Sequence, residues 1–283
     1  MAYKSLMTIV TVTGDADRRN RLLDAAVALA RREDAHLEVL AMGIDRTQIG
    51  YFYAGASALI YQETLERAQA EAAELEAEIR DRLGRQDIRW SVETVVAQLG
   101  GMSALVAQRA WFADLVVLAR PYGEGCGPED EAVIEAAMFD GQAPVLVLPH
   151  DVPDVALRGT RVVVAWNQSS ESLSAIRKAL PILARADLVN ICIVDPPQHG
   201  AERSDPGGTL SQWLSRHGIR SEVSVLAKTL PRLSDVLARH MRDQNADLLV
   251  MGAYGHSRFR EAILGGTTRN TLEQTEVPVF MAH

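Results

Sequence analysis

Cysteine is scarce in this chain: Cys126 and Cys192 are the two among 283 residues. They stand far apart and match no metal-ligand or redox spacing. That excludes a disulfide-framed or zinc-ribbon fold and points to a reducing compartment. No apolar run approaches the roughly 18 residues that a membrane span needs. The opening MAYKSLMTIVTVTGD carries one lysine and a short apolar stretch that reads as a strand. It lacks the long apolar core and small-residue cleavage site of a signal peptide. These absences predict a cytoplasmic protein with no membrane partner. Positive charge is also in deficit, with 29 Lys and Arg against 37 Asp and Glu and a formal net charge of −8. Broad nucleic-acid binding needs a basic face to release counterions, so this balance argues against it. A single small anion is not excluded, because local N–H dipoles and an arginine or two suffice to hold it.

What is present is enough apolar chain for two ordinary cores, and the two halves repeat one pattern. The run from Ala113 to Ala119 (ADLVVLA) is echoed from Ala246 to Gly252 (ADLLVMG), and Ala143–Leu148 (APVLVL) is echoed by Val277–Met281 (VPVFM). Apolar residues on consecutive positions, as in Val162–Ala165, suit strands covered on both faces by helices. Strands are expected at Ser5–Val12, His36–Met42, Arg89–Val95, Asp114–Ala119 and Val145–Leu148. In the second half they are expected at Arg161–Trp166, Leu188–Val194, Arg220–Leu226, Asp247–Met251 and Pro278–Met281. The late repeats are more closely spaced than the early ones, which places an insertion in the first half between Gln48 and Leu83. Its helix, Glu63–Leu83, is rich in Ala, Glu and Arg, strong helix formers. It is read as a sheet-covering helix with a solvated outer side, or else as a coiled-coil surface. Alternation of strands and helices predicts an α/β fold of two tandem doubly wound domains, residues 1–150 and 158–283, with ligands at the carboxyl ends of the strands.

Chemistry concentrates at Ala246–His283. The apolar run Leu248–Met251 enters Gly252-Ala253-Tyr254-Gly255, nine residues follow, and Gly265-Gly266 with Thr267 and Thr268 open a helix. Glycine lets backbone approach a ligand, and a helix N-terminus presents unpaired N–H groups at its positive end. Such an arrangement can hold phosphate; the plainer alternative is a tight turn that needs glycine for sterics alone.

This Gly-x-x-Gly-(nine residues)-Gly spacing, with its flanking strands, resembles the nucleotide-binding signature of the universal stress protein family. The resemblance implies a five-stranded parallel sheet in each domain, a stress-linked regulatory role, and ATP as ligand, with or without Mg. It also implies paired domains meeting through Val145–Leu148 and Pro278–Met281, and it is compatible with a further homodimer. Where the family often has Ser, this chain has Gly266, so a hydroxyl contact is lost unless Thr267 or Thr268 replaces it. On this layout the adenine lies over the strand ends near Ala165, Asn167 and Val194. The phosphates lie by Gly252, Gly255, Gly265, Gly266, Thr267 and Thr268, with His256, Ser257 and Arg258 in reach. Asn167 and Ser169 have a second reading as caps of a helix over Ser170–Ala184. The first half lacks the spacing, and Glu124, Glu129, Asp130 and Glu131 crowd the corresponding region; it reads as a degenerate copy. No Walker-type lysine follows the glycines and no acidic pair is placed for Mg, so no catalytic residue is assigned. The alternatives are a slow ATPase, and a non-nucleotide platform for assembly or another small ligand.

Overall fold

The computed structural model describes residues 2–12, 15–45, 56–98, 100–150, 159–196, 204–253 and 266–283, with backbone alone for 56–61. These separate into two compact units, Tyr3–Ala143 and Pro144–His283, the latter taking in the first two residues. In the first unit, β1 (Ser5–Thr11), β2 (His36–Asp45), β3 (Arg89–Gln98) and β4 (Leu115–Ala119) form a parallel sheet in the order β3-β2-β1-β4. Its helices are α1 (Ala16–Glu33), α2 (Ala56–Leu83), α3 (Met102–Ala110) and α4 (Pro128–Glu135), the last running into a π-helical turn, Ala136–Asp140.

The second unit holds β5 (Val145–Leu148), β6 (Arg161–Ala165), β7 (Leu188–Val194), β8 (Ser221–Leu226), β9 (Leu248–Gly252) and β10 (Val279–Ala282). Between them run α5 (Ser170–Leu183), α6 (Gly208–Arg216), α7 (Leu233–Asp243) and α8 (Gly266–Gln274). Five strands are parallel, in the order β10-β9-β6-β7-β8. From β6 the chain steps outward to β7 and β8, then crosses back to β9 and β10 on the other side. Right-handed crossovers in opposite directions put helices on both faces, which makes the sheet doubly wound as expected. One strand adds to that expectation. β5, the last strand of the first half, packs with the second unit and pairs antiparallel to β10 through Val147↔Val279, Leu146↔Phe280 and Val145↔Met281. Both are four-residue strands buried along their whole length, and pairing removes what would be an apolar open edge on β10.

The repeat is physical as well as textual. Asp114 accepts the backbone N–H groups of Lys4 and Ser5 at 2.7 and 3.0 Å, and Asp247 accepts those of Thr160 and Arg161, both at 3.0 Å. The two aspartates thus tie the start of β1 to β4 and the start of β6 to β9. The expected insertion is visible as helix length, 28 residues in α2 against 9 in α6. α2 packs on β2 and β3 through buried Ala68, Ala72, Leu75, Ile79 and Leu83. Arg67–Glu71, Arg80–Glu76 and Arg85–Asp81 pairs line its outer side at i,i+4 spacing. It is the sheet-covering helix of the first reading.

A buried polar thread crosses the second unit. His240 on α7 lies 2.8 Å through Nε2 from Asn190 Oδ1, and Asn190 Nδ2 donates to Ser224 Oγ at 2.9 Å. Burial holds the His240 imidazole below its ordinary range, against the weaker pull of Asp243. The native state therefore binds fewer protons than the unfolded chain between the native pKa and about 6.5, and stability falls as pH falls through that window. The loss on going from pH 7.5 to 5.5 should be smaller in His240→Gln than in the wild type, read from urea midpoints. Equal losses in the two proteins would remove His240 from the account.

Candidate functional site

In the second unit the strand order reverses between β6 and β9. A crevice opens at such a switch point, beyond the strands' carboxyl ends. Ala165 ends β6 half-buried, in register with Cys192 of β7 and Met251 of β9. Val194 ends β7 opposite Leu226, and Gly252 ends β9 opposite Ala282. Three of the expected residues thus share one sheet edge, on adjacent strands. Beside them Cys192 is buried, and burial pushes its thiol up to about 12, so it is an inert neighbour.

After β6 the chain turns tightly. Asn167 is exposed, and its Oδ1 accepts the Ser169 N–H at 3.2 Å, while Gln168 sits in the left-handed region at φ 63°. Ser169 is the N-cap of α5; its Oγ accepts the Ser172 N–H at 3.1 Å. Of the anticipated pair of caps Ser169 alone is the N-cap, while Asn167, two residues earlier, makes an Asx turn. Its side-chain amide N–H groups make no hydrogen bond to the described residues. Glu171 in the first turn of α5 has its carboxyl held below the ordinary range, first by a hydrogen bond from its own backbone N–H. The positive end of α5 is thus already supplied with acceptors.

Gly252 presses on that same helix end. A Cβ there would lie 2.6 Å from Glu171 C and 2.8 Å from Ser172 Cα, and closer still to Ser172 N. All are backbone atoms. The chain beyond it is pinned as well: Ala253 N–H donates to Ala282 O at 3.0 Å, and His283 Nδ1 lies 3.0 Å from Ala253 O. Gly266 opens α8, and among the described residues an added Cβ would meet nothing nearer than Asn270 Nδ2 at 4.0 Å. Thr267 is half-buried and Thr268 is buried within the helix's inner face. Gly255, His256, Ser257, Arg258 and Gly265 lie outside the described residues. Among those described, no group of three His, Cys, Asp or Glu side chains stands close enough to hold a metal ion. Nor is any helix long and apolar enough to cross a membrane. Sequence reasoning passed over Trp166, the residue after β6, whose indole Nε1 is buried without a partner; no pattern in the chain flags such a group.

The corresponding switch point of the first unit, between β1 and β4, is furnished differently. Arg18 of α1 is buried there, donating through Nη2 to Arg120 O at 2.7 Å and to Asp130 Oδ1 at 3.1 Å. Asp130 Oδ2 accepts the Gly127 N–H at 2.8 Å, capping α4. The remaining cavity, about 40 Å³, is water-sized. A protein carboxylate occupies the helix end that would otherwise face an anion.

Fold and edge geometry define a doubly wound α/β protein whose second unit brings Ala165, Val194 and Gly252 together at the strands' carboxyl ends, beside its switch point. Residues 159–283 match the model of the universal stress protein family. Over that segment the chain carries a universal stress protein domain. It is 32% identical over 146 residues to a universal stress protein of Synechocystis sp., an alignment covering 48% of this chain and 46% of the relative. The chain thus spans less than half the length of that curated relative. Its fold is similar to that of a universal stress protein from Archaeoglobus fulgidus, with TM-score 0.72 and 16% identity over 98% of this chain and 95% of the other. It is also similar to a functionally unknown protein from Pseudomonas aeruginosa, with TM-score 0.60 and 15% identity over 98% and 92%.

Proposed function

We propose that this is a stress-response regulatory protein that binds ATP, or another adenine nucleotide, in its second domain without significant turnover. The observation that carries the reading is the edge formed by Ala165, Val194 and Gly252. Three strand ends there flank the switch point, and α8 begins on Gly266, which no described side chain crowds. Base and ribose are assigned to Ala165, Asn167 and Val194. The phosphates are assigned to Gly252, Gly266, Thr267 and the glycine segment between them, with Gly255, His256, Ser257, Arg258 and Gly265 as expected above. Thr268 serves by anchoring α8 from its buried side. Mg, if it accompanies the nucleotide, is held mainly by the phosphates. The proposal keeps the cytoplasmic setting, the domain ranges 1–150 and 158–283 and their intramolecular pairing, and it allows a homodimer.

The non-nucleotide platform has one observation in its favour: Gly252 is required by packing against α5 whether or not a ligand is present. Identification of small molecules released on denaturing the purified protein, with ATP titration of the stripped chain, separates the two. Adenine nucleotide at up to one per chain is the expected result. Nothing released and no binding at millimolar ATP would move the platform ahead. Hydrolysis should stay far below ordinary enzyme rates, and sustained turnover above ~1 s⁻¹ would make the protein an ATPase instead.

A further inference from the structure

β8 is the open edge of the second unit's sheet. It ends the strand order, while β10 on the other side is already paired with β5. Ser224 Oγ accepts from Asn190, which His240 of α7 contacts, whereas Ser221 Oγ lies 3.0 Å from Ser211 Oγ of α6. Strand alternation then puts Ser221, Val223 and Val225 on the α6 face and Glu222, Ser224 and Leu226 on the α7 face. In agreement, a Cβ on Gly207, the N-cap of α6, would lie 3.4 Å from Val223 Cγ1. α6 is short, at 9 residues, and leaves Val223 39% and Val225 51% exposed. The carbonyls of Arg220 and Leu226 accept the N–H groups of Val189 and Asp195 on the β7 side. The alternate residues Ser221, Val223 and Val225 therefore turn their backbone N–H and C=O groups outward, to the free edge.

Such a row of donors and acceptors is a template for another strand, and a free edge is ordinarily blunted by charge, proline, a bulge or a covering helix. β3, the edge strand of the first unit, is blunted in that way. The 28-residue α2 packs on it, Arg80 Nη2 donates to Val92 O at 3.2 Å, and Arg89 and Glu93 both form ion pairs. β8 pairs with β7 without a break from Ser221 to Leu226, and it has no proline and one charge, Glu222. The charges of the segment select its partner. Glu222 and Lys228, the latter two residues past the strand, are exposed and form no ion pair among the described residues. An antiparallel copy about a two-fold axis at Val225 sets Val225 opposite Val225, Val223 opposite Ala227 and Glu222 opposite Lys228. Symmetry makes the charged pair twice, and Arg220 falls outside the paired stretch. A parallel copy would instead set like charges side by side. We propose that β8 is a homodimer interface, pairing antiparallel with β8 of a second copy of this chain about an axis at Val225.

The test is sedimentation velocity of the full chain over roughly 1–300 μM, a range suited to one strand pair, which buries less than a standard interface. The wild type should dimerise as concentration rises. Glu222→Lys and Lys228→Glu should each weaken the dimer about 10-fold, since each turns two attractive cross-strand pairs repulsive. The double reversal should return to within about threefold of wild type. Both positions are exposed, so the fold should survive, which circular dichroism checks. Cysteine cross-linking reads the register in a Cys126→Ser background, where the remaining Cys192 is buried. Val225→Cys should link two chains on mild oxidation, because hydrogen-bonded antiparallel neighbours stand about 5.5 Å apart, within disulfide reach. Val223→Cys should not, its two copies being roughly 13 Å or more apart along the strands. A monomer at every concentration overturns the proposal and leaves β8 as an edge for a strand of another protein. A dimer that ignores the single reversals, or is not rescued by the double one, associates through another surface and overturns it too.

Discussion

Asp130→Ala should lower the stability of the protein by about 3–5 kcal/mol, the cost of leaving one member of a buried ion pair uncompensated. The side chains of Arg18 and Asp130 are 9% and 18% exposed, so solvent does little to replace the missing carboxylate. The same substitution removes the acceptor for Gly127 N–H and with it the cap of α4. Arg120 O would remain as the guanidinium's acceptor at 2.7 Å, which neutralises no charge. Replacing both partners by apolar residues, as in Arg18→Met with Asp130→Leu, should recover most of the loss, because the desolvation cost of both charges disappears together. The check is a urea titration of wild type, single and double variants followed by circular dichroism. A single variant within 1 kcal/mol of wild type would mean that water reaches the pair freely. The pair is also the reason the proposal assigns no nucleotide to the first unit. Arg18 already pairs with Asp130 through Nη2, and a bound phosphate would meet that carboxylate beside it. By Coulomb's law that encounter is unfavourable, and most so out of contact with water.

Much of this fold was legible in the chain because parallel strands covered on both faces leave an unambiguous trace. Val145–Leu148 and Leu188–Val194 have the expected bounds, and β6 differs from its expected range by one residue. The repeated Ala-Asp pair at 113–114 and 246–247 marked the fourth strands. Its reason, the two N–H groups each aspartate accepts, needed coordinates. Pairing of β5 with β10 was anticipated from resemblance, whereas the antiparallel register is a tertiary fact. At the site, glycine spacing pointed to Gly252 and Gly266 alike, since spacing cannot say whether a glycine makes room for a ligand or for a helix. Asn167 and Ser169 were legible as caps because the side-chain oxygens of such residues serve that role locally. Trp166 and Arg18 were not legible. Each matters through burial and through which partner it has or lacks, and neither follows from residue type or spacing.

The two glycines of the proposed phosphate side should respond in opposite ways to a single methyl group. In Gly252→Ala the new Cβ meets the backbone of Glu171 and Ser172 at 2.6 and 2.8 Å, and no side-chain rotation relieves a clash with backbone. The first turn of α5 must shift, which should cost about 1–3 kcal/mol. It should also move Ser169 and Asn167, so ATP affinity should fall with stability. Gly266→Ala places its Cβ clear of the described residues at the start of a helix, where alanine is the better helix former by up to about 1 kcal/mol. Stability should hold or rise slightly. If the phosphates approach the backbone at Gly266, affinity should still drop by an order of magnitude, because the added methyl stands where a ligand oxygen would sit against the N–H. Thermal midpoints and ATP titrations of the two variants decide the matter together. Loss of affinity in Gly266→Ala at undiminished stability assigns that glycine to the ligand. Unchanged affinity there, with Gly252→Ala destabilised, would leave Gly252 a packing glycine and remove the phosphate site from the start of α8.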